Sequence, residues 1–332
     1  MGDAPKVIAV TGASSGVGRA IARAFGRRGW KVALLARGVE GLAAAQREIR
    51  AEGGEAACYP LDVSHAGEVF DAAAAIVARW GRLDCWVNDA MVSVFSPVAE
   101  MQPEEYRRVT EVTYLGTVHG TLAALRHMRP RNRGVILQIG SALAYRSIPL
   151  QSAYCASKAA IRAFTDSLRS ELRHDRSAVR VVMLQLPAVN TPQFDVVRSR
   201  LPRHPQPVPP IYQPELIARA ALYAVERPTR ELWIGGSVWK AIVGQRLFPG
   251  LLDRYLARVG YRAQQTGEKV SAVRPDNLDA PLPGDRGAHG DFDARARRGS
   301  PLLWARTHRG WLLSMAAGSA LALTAATARS RT

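Results

Sequence analysis

The residues best placed by type and spacing to do chemistry are Tyr154 and Lys158. They lie four positions apart in a segment, 152–174, patterned as a helix, so both side chains share one face. An ammonium beside a phenol favours the phenolate and draws its pKa towards neutrality. The tyrosine can then act as general acid in one direction and general base in the other. Ser141 follows a strand-like run at 134–139, and its hydroxyl can hold a substrate oxygen beside Tyr154. Taken alone, a Tyr-x-x-x-Lys pair is also what an aromatic–cation pair on a surface looks like, so its context decides its meaning.

That context includes a second motif. Thr11-Gly12-Ala13-Ser14-Ser15-Gly16-Val17-Gly18 falls between the apolar run Val7-Ile8-Ala9-Val10 and an Ala/Arg-rich helical pattern reaching Arg28. Its glycines permit a sharp turn and a close approach to a pyrophosphate, whose charge meets the helix N-terminus. The next strand ends in Leu35-Ala36-Arg37, with no carboxylate to receive a ribose 2′-hydroxyl or repel a 2′-phosphate. Arg37, helped by Ser14, can pair with that phosphate, so NADP(H) is expected over NAD(H); an ordinary surface arginine is the alternative. Asp62, in Leu61-Asp62-Val63-Ser64, either accepts from the adenine amino group or caps the following helix. No cysteine or histidine cluster has metal-ligand spacing, and no metal is expected.

The elements needed to position these residues can be read in turn. Strand-like runs at 7–10, 31–36, 56–61, 84–88, 134–139, 179–186 and 231–235 alternate with helical patterns ending at 28 and spanning 39–52, 65–80, 103–129, 152–174 and 214–226. Continuous apolar strands alternating with helices specify an α/β fold. The expectation is a Rossmann-type doubly wound parallel sheet over residues 1–236, followed by a helical C-terminal extension. Residues 237–262 read as one or two amphipathic helices broken near Pro249-Gly250, 263–300 as a linker or wrapping arm, and 301–332 as an apolar tail. The proline-dense stretch 187–214 is expected to cover a substrate, or else to be an inert excursion. Its Val196, Val197, Leu201, Val208, Ile211 and Tyr212 suggest a hydrophobic ligand.

Together, Thr11–Gly18, Asn88-Asp89-Ala90, Ser141, Tyr154-Cys155-Ala156-Ser157-Lys158 and Pro187 with Thr191 resemble a short-chain dehydrogenase/reductase of the short, single-domain branch, over about residues 5–236. The resemblance implies hydride transfer between a nicotinamide and an alcohol/carbonyl pair, in a protein that is often a dimer or tetramer. It also implies cofactor contacts from Gly12, Ser14, Ser15, Gly16, Val17, Gly18, Val63, Asn88, Ala90 and Pro187, with Lys158 holding the nicotinamide ribose and Thr191 the carboxamide. Three departures stand out. The usual Asn-Asn-Ala-Gly reads Asn88-Asp89-Ala90-Met91, and the usual Pro-Gly reads Pro187-Ala188. Thr113 stands where an asparagine organises a proton-relay water, and its hydroxyl is the expected substitute.

Composition narrows the alternatives. The chain of 332 residues has 45 Lys+Arg against 28 Asp+Glu, a net charge of +17, yet lysine occurs only at positions 6, 31, 158, 240 and 269. The arginines form no long run and accompany no recognition-helix pattern, so nucleic acid is not an expected partner. The three cysteines form no C-x-x-C pair, and the N-terminus has no signal-peptide core, so a cytoplasmic catalytic domain is expected. The uncharged run 311–328 is just long enough to tether that domain to the inner face of a membrane, or to pack on the domain or a partner subunit. Besides the enzyme, two other readings fit: a non-catalytic NADP(H)-binding regulator or scaffold, and a membrane-recruited interaction protein with a vestigial domain.

Overall fold

The computed structural model describes residues 4–271 and 274–310. Its centre is a seven-stranded sheet, parallel throughout: β1 (Val7–Thr11), β2 (Lys31–Ala36), β3 (Glu55–Pro60), β4 (Cys85–Asn88), β5 (Val135–Ser141), β6 (Arg180–Leu186) and β7 (Glu231–Trp233). The strands lie side by side in the order β7-β6-β5-β4-β1-β2-β3, so the order reverses beside β1. Residues on β1 are buried on both faces because helices cover both. Ile8 and Val10 pack into one core, while Val7 and Ala9 pack into the other. This explains an apolar run without polar alternation.

The first core is completed by α1 (Gly16–Gly26), α2 (Val39–Ala51) and α8 (Pro214–Glu226). The second is completed by α3 (Ala66–Trp80), α5 (Gly116–Met128) and α6 (Ser152–His174). The helix expected over 103–129 is not continuous. α4 (Pro103–Val109) passes through a π-helical turn, Thr110–Leu115, before α5 begins. Such wide turns release a backbone stretch for other contacts. Here Thr113 is fully buried within it and bonds the Val92 backbone.

Two segments outside the sheet shape the cavity. The proline-dense stretch holds α7 (Gln193–Val196) and several two- or three-residue strands. Val197, Leu201 and Ile211 turn into a small third core with Phe95 and Phe194, so they support the loop and do not face a ligand. Tyr212, also expected in the lid, is buried in the first core. The second segment is the arm after α9 (Gly236–Leu247) and α10 (Pro249–Ala263), which break at Phe248 as the Pro249-Gly250 pair suggests.

The described residues of 263–300 wrap. Gln265–Lys269 pairs with Arg203–Pro205, Phe292 joins the third core, and α11 (Pro301–Thr307) returns Leu303 to the first core behind a Ser300 cap. Among the described residues no helix is long and apolar enough to cross a membrane. The run 311–328 lies outside the described residues.

Candidate active site

A cavity of about 460 Å³ opens at the carboxyl ends of the strands, beside the point where the strand order reverses. This is where an open α/β sheet offers a crevice between diverging loops. One wall is the glycine turn between β1 and α1, which lines the cavity with Gly12, Ser14, Ser15, Gly16 and Val17. Gly12 has φ +72°, and a Cβ there would lie 3.0 Å from the Ala90 backbone. Gly18 does not line the cavity. It lets the turn close on itself, since a Cβ would lie 2.5 Å from the Gly12 oxygen. Thr11 ties the neighbouring loop in place: its hydroxyl donates to the Val87 oxygen (3.1 Å) and accepts from the Asp89 and Ala90 amides (3.0 and 3.2 Å).

The opposite wall carries Ser141, Tyr154 and Lys158. Ser141 ends β5, where the strand turns and its hydroxyl accepts from the Leu143 amide (3.1 Å). Tyr154 and Lys158 sit one turn apart on α6, with the Lys158 Nζ 5.6 Å from the Tyr154 ring centre. Lys158 is buried and donates to the Ile139 carbonyl at 2.6 Å. Burial pulls its pKa down to about 8, with the Asp89 carboxylate working against that fall. The Ser141 hydroxyl favours the ionised form of Tyr154. The Tyr154 pKa is nevertheless pushed up, first by desolvation and then by the Cys155 and Asp89 side chains. The expectation that Lys158 draws this phenol towards neutrality is therefore not met. Desolvation is the largest influence on its pKa, and Tyr154 is a phenol.

Several expected contacts fall elsewhere. Asn88 is buried away from the cavity. Its amide donates to Gln138 (2.9 Å) and Thr121 (3.1 Å), and its oxygen accepts from the Trp86 indole (2.8 Å), so it ties β4 to β5 and α5. Thr113 does not line the cavity either. Its hydroxyl accepts from the Val92 amide (3.2 Å) and donates to the Val92 oxygen (3.0 Å), which leaves it positioning that loop instead of holding a relay water. Ala90, Val63, Pro187 and Thr191 line the cavity as expected, and Met91 lines it where a glycine is usual. Of the apolar lid residues, Val196 and Val208 face the cavity.

At the far end Arg37 and Asp62 both line the cavity, yet each already has partners. Arg37 donates to the carbonyls of Asn277 (2.6 Å), Asp279 (3.0 Å) and Leu278 (3.4 Å). Asp62 pairs with Arg108 and accepts from the Ser64 amide (2.9 Å) and hydroxyl (2.8 Å), which hold its carboxyl below its ordinary range despite burial. It therefore caps the turn as well as facing the cavity. Arg108 also donates to the Leu278 oxygen (3.1 Å). None of these arm contacts is visible in the sequence, because the partners are backbone carbonyls in a segment without periodicity.

Asp89 is the residue that sequence reasoning passed over. It lines the cavity, lies close against Gly18, and acts on both Lys158 and Tyr154. Burial raises its carboxyl to about 7, with Lys158 opposing the rise. The signal was available in the sequence as an acid standing in place of the second asparagine of the usual motif.

The family model for short chain dehydrogenases matches residues 6–201. The chain belongs to the short-chain dehydrogenase family. It is accordingly an oxidoreductase acting with NAD(P). A Bacillus subtilis relative, the uncharacterized oxidoreductase YxnA, is 33% identical over 82% of this chain and 75% of its own length. Human dehydrogenase/reductase SDR family member 7 is 37% identical over 50% of this chain, which spans about half of that relative (50%). Among solved structures, an alcohol dehydrogenase from Thermococcus sibiricus complexed with 5-hydroxy-NADP matches with TM-score 0.61 and 30% identity, covering 69% of this chain and 95% of that one. A short-chain dehydrogenase from Streptomyces avermitilis matches with TM-score 0.64 and 29% identity, covering 78% of this chain and 96% of that one.

The cavity fits a dinucleotide on this chain's own evidence. A turn whose glycines leave a cradle forms one wall, and a lysine, a serine and a tyrosine converge on the other.

Proposed function

We propose that the protein interconverts a carbonyl and an alcohol with NADP(H), using Tyr154 as the proton-transferring residue. The observation that carries this reading is the meeting of Ser141, Tyr154 and Lys158 on one wall of a cavity whose opposite wall is the glycine turn. A bound nicotinamide dinucleotide supplies the hydride. Ser141, which lines the same cavity as Tyr154, orients the substrate oxygen towards the phenol. Tyr154, a phenol at neutral pH, donates its proton to the oxygen as reduction proceeds and recovers one from it in oxidation. Lys158, with its ammonium held by the Ile139 carbonyl, stabilises the phenolate that results. Thr191 and Pro187, beyond β6, line the nicotinamide end.

The preference for the phosphorylated cofactor is supported by the lack of a carboxylate at the end of β2 and by the basic lining at Arg37. Val196, Phe194 and Val208 on the lid support a hydrophobic substrate. Titrating purified protein with NADPH and NADH, then screening lipophilic ketones and alcohols, tests the whole reading. Tighter NADPH binding and turnover of lipophilic ketones are expected. Failure to bind either cofactor, or good turnover of small sugars alone, overturns it.

A further inference from the structure

Three cations line the cavity: Arg37, Lys158 and Arg286. The first two have acceptors already, in the carbonyls of residues 277–279 and of Ile139. Arg286 has no hydrogen-bonded or ion-paired acceptor among the described residues. The charge it acts on across space is Asp195, on α7 just beyond Thr191.

The backbone on either side of Arg286 is pinned to the turn that begins α1. On one side, Asp285 pairs with the buried Arg19 of α1, which also holds Glu48, and accepts from the Gly287 amide (3.2 Å). On the other, the Gly287 carbonyl accepts from the Gly16 amide (3.1 Å), with Gly287 at φ +65°. Slightly further on, the arm lies so close to the loop after β6 that a Cβ on Gly290 would sit 2.4 Å from the Thr191 oxygen. A guanidinium held between two anchors has lost much of its freedom before any ligand arrives. The arm thus removes one amide donor from the glycine turn and sets an unpaired cation beside it. No acidic residue stands in the first turn of α1 to neutralise that charge.

We propose that Arg286 binds the pyrophosphate of the dinucleotide, which makes the C-terminal arm a component of the cofactor site. The position decides between the two phosphate groups. Arg286 is the neighbour of Gly287, whose carbonyl accepts from the Gly16 amide in the glycine turn, whereas the end of β2 already has its own cation in Arg37, bonded to the carbonyls of 277–279. Charge-assisted bonds to phosphate are stronger than neutral ones, and a partly exposed guanidinium contributes about tenfold in affinity.

The assignment rests on the cavity being a dinucleotide site, and the experiment separates the two. Binding of NADPH and of NADH is measured by calorimetry on the full chain, wild type and Arg286→Gln, at low and high salt. The proposal expects the variant to lose about tenfold in affinity for both cofactors equally, with a shallower salt dependence. It also expects unchanged amide exchange across 284–290 in the cofactor-free protein. Equal affinities in variant and wild type overturn it. So does a loss confined to NADPH, which would place Arg286 at the 2′-phosphate. Faster exchange in the arm accompanying the loss also overturns it, since Arg286 would then act by holding the arm. A wild-type protein that binds neither cofactor defeats the dinucleotide reading itself.

Discussion

The two ends of the cavity are built on different principles. At the reactive end, Ser141, Tyr154 and Lys158 come from one strand end and the next helix, and the longest hydrogen bond among these elements spans 19 residues, from Lys158 to Ile139. At the far end, Arg37 meets carbonyls 240 to 242 residues away in the chain. At both ends a specified side chain meets backbone, but the partners are near in sequence at the reactive end and distant at the far end. Chemistry is thereby encoded locally, while the enclosure of the cavity depends on where a late, irregular segment comes to rest. The arm also bonds the lid: Arg198 reaches Asp276 (2.9 Å) and Asp279 (2.8 Å), and the Asn277 amide reaches the Val196 oxygen (2.9 Å).

If the ends are independent in this way, substitutions should sort cleanly between them. The largest effect belongs to Tyr154→Phe. Turnover should fall by about 10²–10⁴-fold, the range for losing a general acid–base, while calorimetry finds cofactor affinity nearly unchanged. A parallel collapse of cofactor binding would break the comparison.

Asp89→Asn sharpens it through pH. The folded carboxyl titrates at about 7, against about 3.9 in an unfolded chain. Between those values the folded state keeps a proton that the unfolded state gives up, so stability falls as pH rises through the window and levels off above it. The asparagine variant lacks this loss. Its unfolding free energy relative to wild type should climb by a few kcal/mol between pH 4 and pH 8 in denaturant titrations, and a flat difference would count against the burial of that charge.

At the opposite end, Arg37→Ala removes the hydrogen bonds to residues 277–279 and should cost about 1–3 kcal/mol. Thermal unfolding should shift down and proteolysis near Asn277 should quicken, with turnover at saturating cofactor preserved. Loss of turnover there would mean that the ends are coupled. The smallest effect is expected on the lid. Val208→Ala, at a residue that is 36% exposed, should lower kcat/KM for a lipophilic ketone by about fivefold, from the apolar surface removed.

Much of this was legible from residue types. The seven strands and the helices α1, α2, α3, α6 and α8 follow from apolar periodicity, and α9 and α10 separate at the proline–glycine break. The glycine turn and the Ser-Tyr-Lys wall follow from spacing, because both depend on neighbours within one strand–helix unit. The π-turn at Thr110–Leu115 was not legible, since its residues fit a helical pattern equally well. Nor was the inward rotation of Asn88 and Thr113, because a polar side chain beside a cavity can bond the ligand or the scaffold with the same atoms.

By itself, then, the sequence determined the doubly wound sheet, the place of the glycine turn and the three side chains proposed to react. Hydrophobic periodicity and fixed helical spacing are local properties that survive without knowledge of distant contacts. Tertiary structure alone decided that Arg37 holds an arm, that Asp89 lines one cavity with Lys158, and that Arg286 stands beside the glycine turn. Each depends on desolvation or on a backbone partner far along the chain, and neither leaves a mark in the order of residue types.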